Sequence, residues 1–240
     1  MNKFLNIAFI AGLFFCATTL AQAEPKQLLV TGTASSLKTG KLAYLEYHDI
    51  TTAQHTVRYM DEKGKLIAEK TIQYLHGYTT PEYRLQDQRI NRNTGSEWQK
   101  DHFVIYRQDK SEKRHEKIIE PEKDIVIDAG FDHFIRGHWN ELIDGKVLPF
   151  SFVIADPLTI LNMKIKEVSA EKTAIKQHSD RYRYFLASSR NKLIGWAIPE
   201  INLAYDKETQ LLQVYQGPSN ITDKNDKTQT VVIDYKYQSL

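Results

Sequence analysis

Cysteine is nearly missing from this chain: there is one, Cys16. No Gly-x-Ser-x-Gly is present, which excludes a nucleophile elbow as a local motif. No glycine loop suited to cradling phosphates occurs either. Charge of one sign is also lacking. Lys and Arg number 32 against 30 Asp and Glu, for a net +2. So near-neutral a balance signals no attraction to nucleic acid or to an anionic membrane surface. Beyond residue 23 there is no long apolar run, no internal repeat and no low-complexity tract.

The one strongly apolar stretch lies at the start. Met1-Asn2-Lys3 precedes a run from Phe4 to Ala17 that is apolar apart from Asn6, and Ala21-Gln22-Ala23 follows it. That three-part order is the pattern of a cleavable export signal. The run is 14 residues long, whereas a membrane-spanning helix needs about 20. Phe15 before Cys16 is too bulky for a lipoprotein signal. The expectation is a signal peptide over 1–23, cut after Ala23. A single β-rich domain over 24–240 follows, periplasmic or secreted, without a membrane span. Cleavage removes Cys16, so the mature chain has no disulfide, thiol nucleophile or thiolate metal site.

The rest reads mainly as strands. Lys41–His48 is rich in β-formers, and Thr56–Met60 and Lys65–Ala68 flank a hairpin turn at Asp61–Gly64. A further turn is expected at Asn93–Gly95, and a strand at His102–Arg107. Gln108–Lys117 reads as a solvated loop or edge hairpin. Leu161, Met163 and Ile165 alternate with polar residues, as do Val231, Ile233, Tyr235 and Tyr237. Ile201–Tyr205 and Leu211–Tyr215 form the clearest hairpin. One segment changes period. Phe131, Phe134, Ile135, Trp139, Leu142 and Ile143 recur at helical spacing on one face, with Asp128 or Asp132 as candidate caps. Gly137 is expected to bend or split this helix, and Asp144-Gly145 to end it. The fold class is therefore mainly β: an antiparallel curved sheet, half-barrel or barrel, with one or two short helices. A two-sheet sandwich is the alternative.

Two blocks resemble a known family. Gly130-Phe131-Asp132 with Phe134-Ile135-Arg136, Trp139, Leu142, Gly145 and Phe150 form the first. Leu203–Asp206, Leu211-Leu212, Tyr215, Gly217, Ser219–Ile221 and Ile233–Tyr235 form the second. Together they are similar to uncharacterised exported proteobacterial proteins, over roughly residues 120 to 237. The resemblance implies a Gram-negative periplasm and no catalytic residues. It also implies an architecture similar to the half-barrels of periplasmic lipoprotein carriers.

Eight histidines are present. His133 and His138, five apart, point about 140° apart on a helix and do not make one metal site. His48, His55, His76, His102, His115 and His178 show no ligand spacing, so no metal or cofactor is expected. Ser188, Ser189 and Ser219 read as turn residues, and Asn220-Ile221-Thr222 as a coincidental sequon. Glu46, Asp49, Glu141, Asp144 and Asp156 are available for paired-carboxylate chemistry, but spacing brings no two together. Aromatics are plentiful, with 13 Tyr, 10 Phe and 3 Trp. They serve β-core packing in one reading. In the sharper reading Phe131, Phe134, Trp139, Phe150, Phe152 and Trp196 line an apolar pocket between sheet and helix. The function expected first is a non-enzymatic binding or carrier protein for a lipid or other apolar or amphipathic molecule. An envelope protein-interaction or structural factor comes second, and a hydrolase third.

Overall fold

The structure is a computed structural model and describes residues 27–239 apart from 53, 111, 123 and 192–197. The expected signal peptide with Cys16, and Trp196, lie outside the described residues.

Fifteen strands form a single sheet. The first eight are β1 Leu28–Ser36, β2 Leu42–Ile50, β3 His55–Met60, β4 Leu66–Gln73, β5 Glu82–Asp87, β6 Arg92–Gln99, β7 His102–Asp109 and β8 His115–Ile119. After β9 (Ile125–Ile127) come two helices, α1 Gly130–Gly137 and α2 Trp139–Ile143. The chain then returns through β10 Leu148–Ile154, β11 Thr159–Val168, β12 Tyr182–Ser189, β13 Ile201–Asp206, β14 Leu212–Pro218 and β15 Thr230–Ser239. The order across the sheet is β8-β7-β6-β5-β4-β3-β2-β1-β15-β14-β13-β12-β11-β10-β9. All neighbours are antiparallel except β9 and β10. Two hairpin meanders are thus joined where β1 pairs with β15. One continuous sheet replaces the sandwich alternative.

The sheet curls toward a barrel and does not close. Register shifts at Ala34/Ser35, Tyr59/Met60 and Ala204/Tyr205 mark bulges, which add local twist and bend strands. The edges β8 and β9 face each other across a seam. Side chains, not a backbone ladder, bridge it: Phe103, Ile105 and Ile119 share a cluster with Ile125, Ile127 and Val153. Near one end Arg107 donates to Asp156 at 2.7 Å, and Arg92 to Asp226 at 2.8 Å.

Local chemistry explains the turns. The Asp61 carboxylate accepts the Lys63 and Lys65 amides, and the Asp206 carboxylate those of Glu208 and Thr209. The turn expected at Asn93–Gly95 lies earlier, between Asp87 and Arg92, where Asn91 takes a φ of 53°. Gly95 instead sits inside β6 for packing. A Cβ there would come within 2.2 Å of the Tyr83 carbonyl and 2.6 Å of the Tyr106 hydroxyl. The Gln108–Lys117 segment forms the β7–β8 edge hairpin.

The helical segment is split after Gly137, and His138 N–H returns to the Phe134 carbonyl at 3.1 Å. Neither aspartate caps it across the first turn. Ala129 holds the N-cap position without a side-chain bond, and the Asp128 carboxylate accepts the adjacent Ala129 amide instead of one in the first turn. Phe131, Phe134, Ile135, Trp139 and Leu142 are buried against Met163, Ile165, Phe185, Leu203 and Tyr205. Each such side chain, fully buried, contributes about 1.5–3 kcal/mol. The helices therefore fill the β9–β14 half of the curl. Strand β13 is buried on both faces. Its outer side is covered by Ile175 and by Thr173 and Ala174, which donate to Asn202.

Candidate functional site

The β1–β8 half of the interior is built differently. On β2, Tyr44, Glu46 and His48 alternate on the inner face, and Glu46 is only 4% exposed. Such burial of a carboxylate is costly unless it is hydrogen-bonded. Here the Tyr235 hydroxyl donates to Glu46 Oε2 at 3.2 Å, and His48 Nε2 lies 3.0 Å from the same oxygen. His48 Nδ1 in turn lies 2.9 Å from His55 Nε2 on β3. With the carboxylate as acceptor, His48 carries its proton on Nε2. His55 Nε2–H then donates to His48 Nδ1. Burial, and next the neighbouring His48, push the His55 pKa down to about 3. Burial and then the Glu46 charge hold the Tyr44, Tyr59 and Tyr235 hydroxyls well above their usual range, as standing donors.

Beside this chain Lys70, also 4% exposed, donates to both Asp128 oxygens at 2.7 and 3.0 Å. Its ammonium lies 5.6 Å from the Tyr83 ring centre. Register places these groups. His48 faces Val57 across the β2–β3 ladder, and Val57 faces Lys70 across β3–β4. The sequence offered one signal for the histidine pair, namely that His48 and His55 flank a tight β2–β3 turn. Spacing alone did not reveal Lys70–Asp128, which are 58 positions apart.

Among the described residues the side-chain hydrogen bonds of Glu46, His48 and His55 go to one another and to Tyr235, and none to a serine, threonine or cysteine. The Ser219 hydroxyl meets the Tyr44 hydroxyl at 2.8 Å and accepts the Ile221 amide. Among the described residues no group of three or more His, Cys, Asp or Glu could hold a metal. His133 packs between Tyr74 and Tyr78, while His138 packs on Phe134. The carboxylates weighed for glycoside chemistry go separate ways: Asp49 to Gln27, Glu141 to Lys146, Asp156 to Arg107.

Five of the residues expected to line a pocket do come together. Phe131, Phe150 and Phe152 are in mutual ring contact, with Phe134 on Phe150 and Trp139 edge-on to Phe185 and Tyr205. They pack on one another beneath α1 and α2.

Among the described residues, two clefts stand out elsewhere. One, of about 380 Å³, lies outside β11 and β12. In its lining Arg183 pairs with Glu167 at 2.7 Å, and Lys207 donates to the Asp180 carbonyl at 3.0 Å. The other, of about 210 Å³, sits on the seam, lined chiefly by His76, Thr79, Trp98, Phe103, Glu122 and Asp124. Its walls are the β4–β5 loop, the β6–β7 hairpin and the β8–β9 connection. Trp98 stacks on His76 at 5.1 Å and meets Phe103 edge-on at 4.2 Å. The loop is fixed from below, because Ile127 N–H donates to the Thr79 carbonyl. Gly130 allows that approach, since a Cβ there would come within 2.1 Å of the Thr79 carbonyl oxygen.

No family model matches the sequence, and no curated protein matches it. Among solved structures the chain is similar to the "Beta-barrel-like Protein of Domain of Unknown Function DUF1849 from Brucella abortus". The TM-score is 0.51, over 88% of this chain and 98% of that one, at 9% identity. Likeness at that identity concerns the fold: mainly β, barrel-like, one large sheet.

Proposed function

We propose that the protein is a non-enzymatic binding or carrier protein of the bacterial envelope, exported by its N-terminal signal, and that it holds an amphipathic molecule. The observation that carries this reading is the seam. Where the sheet fails to close, an aromatic-floored cleft lies beside a loop that presents Leu75 and Tyr78 to solvent, each 67% exposed. Exposed apolar groups beside a concavity are a common mark of a binding surface. The ligand's polar end sits in the cleft and its apolar part lies along Leu75 and Tyr78. The cluster of Phe131, Phe134, Trp139, Phe150 and Phe152 is close-packed, so it receives a chain only when α1 and α2 lift.

The test is mass spectrometry of organic extracts from the purified protein, with displacement of a fluorescent fatty amphiphile. Leu75→Ser with Tyr78→Ser, both on the surface, should weaken the amphiphile about tenfold or more, from the apolar area lost. An empty extract together with no displacement would reject the reading.

A second reading, an envelope protein-interaction factor, is favoured by one feature. The edge strand β8 presents Ile118 at 58% exposure. Crosslinking through a photoreactive residue at position 118 in envelope extracts would test it.

A further inference from the structure

The near-neutral total charge conceals a pattern at one end of the strands. The β1–β2, β3–β4 and β14–β15 turns are neighbours there, since β1 pairs with β15 and β2 with β3. The Leu37 amide donates to the Thr230 carbonyl and ties two of them together. All three turns put lysines into solvent: Lys38 and Lys41, Lys63 and Lys65, Lys224 and Lys227. Among the described residues none of these ammonium groups makes a salt bridge. The carboxylates of the same turns are mostly engaged. Asp61 accepts the Lys63 and Lys65 amides, and Asp223 those of Asn225 and Lys227. Asp226 accepts from Arg92 at 2.8 Å, which leaves Glu62 in solvent. Two leucines stand among the lysines. Leu37 and Leu42 flank Lys38-Thr39-Gly40-Lys41 and are 48% and 38% exposed. Gly40, at a φ of 68°, lets the chain reverse between them. Apolar side chains bracketed by lysines meet both demands of an anionic lipid surface. The leucines gain by leaving water for the headgroup boundary, while lysine stems lie along them and the ammonium groups reach the phosphates. A soluble polyanion would use the lysines and leave the leucines in water.

We propose that this end of the molecule docks on an anionic lipid surface, with Leu37 and Leu42 entering the headgroup layer and the lysines of the three turns lying over the phosphates. The β4–β5 loop lies at the other end of the strands, so the docked protein holds its seam cleft away from the lipid. The inference goes beyond the binding reading and uses none of its residues.

The experiment is cosedimentation of the purified protein with two kinds of vesicle, phosphatidylcholine alone and phosphatidylcholine mixed equally with phosphatidylglycerol. Binding should be about tenfold or more tighter on the mixed vesicles, and about 0.5 M salt should largely release it. Lys38→Gln with Lys41→Gln should weaken binding about tenfold. Leu37→Ser with Leu42→Ser should weaken it about threefold or more. Lys172→Gln with Lys176→Gln, on the exposed β11–β12 connection at the other end, removes the same net charge and should change binding by less than about twofold. All three pairs are exposed, so circular dichroism should stay unchanged. Equal binding to the two vesicles, or none to either, overturns the proposal even if extracts of the protein contain an amphiphile. Equal loss from the two lysine pairs would reduce the effect to net charge and also overturn it. Loss from Lys38 and Lys41 with none from the leucines would mark a polyanion site and overturn the lipid assignment. Docking that follows the expected pattern, with an empty extract, leaves this inference standing and removes the carrier reading.

Discussion

Both halves of the interior have an apolar cluster, but one of them also encloses a network of buried charged groups. The half under β9–β14 is filled by hydrocarbon and aromatic rings from the helices and the sheet. The half under β1–β8 holds Glu46, His48, His55, Lys70 and several tyrosine hydroxyls, each with a partner. The first half gains stability from burial in proportion to area and tolerates the loss of any one atom gradually. Stability in the second depends on complete pairing, because each polar group left alone keeps its desolvation cost. Single changes there should therefore have sharper effects, and acid should reach it first.

The largest contrast is expected at Lys70. Lys70→Met leaves Asp128 buried without its cation and should cost about 3–5 kcal/mol in urea unfolding. Adding Asp128→Asn, which removes the orphaned charge, should recover more than half of that. Leu142→Ala on α2 should cost about 2–5 kcal/mol, with no second-site polar change to restore it. If the Lys70 double variant is as unstable as the single one, the pairing argument fails.

Acid gives the next effect. His55 is held at about 3 in the fold against its usual 6.5. Between those values the unfolded chain takes up a proton that the folded chain refuses, so stability falls as pH drops below about 6.5. From pH 7.5 to 5 this one group accounts for about 2 kcal/mol. The matching measurement is the difference in that loss between the wild type and His55→Gln. Identical slopes would show that His55 is not buried as a neutral ring.

The smallest contrast compares two hydroxyls. Tyr235→Phe strips a donor from the buried Glu46 and should cost about 1–3 kcal/mol. Tyr205→Phe strips one from Asp132, whose side chain is 36% exposed and bonded to Arg136, and should cost about 1 kcal/mol or less. Equal costs would erase the distinction between the halves.

The apolar half was largely legible in the sequence. The switch of period from Phe131 to Ile143 announced the helices, Gly137 their break, and strict alternation the β11 and β15 strands. Those signals are local. The polar half was not legible, because Glu46, His48 and Lys70 alternate with neighbours as any solvent-facing residue would. Only the curl of the sheet turns their face inward. Asn93–Gly95 misled for a related reason: it has turn composition, but its glycine answers to the Tyr106 ring on the neighbouring strand. The seam cleft draws on three segments distant in sequence, and no spacing rule joins them. Its aromatics were visible, while their convergence was not.

The pairing of β1 with β15 has a consequence for how the molecule is assembled. Leu28 lies opposite Ser239, so the first and last strands in sequence form the midline of the sheet. Each meander can grow hairpin by hairpin from its own neighbours, but the midline joins only across nearly the whole chain, with the largest loop-closure cost in the fold. During synthesis the sheet must remain two unjoined ribbons, each with an open long edge, until β15 emerges. The molecule is then completed at its centre, and whatever guards those edges in the interval governs how much protein is recovered.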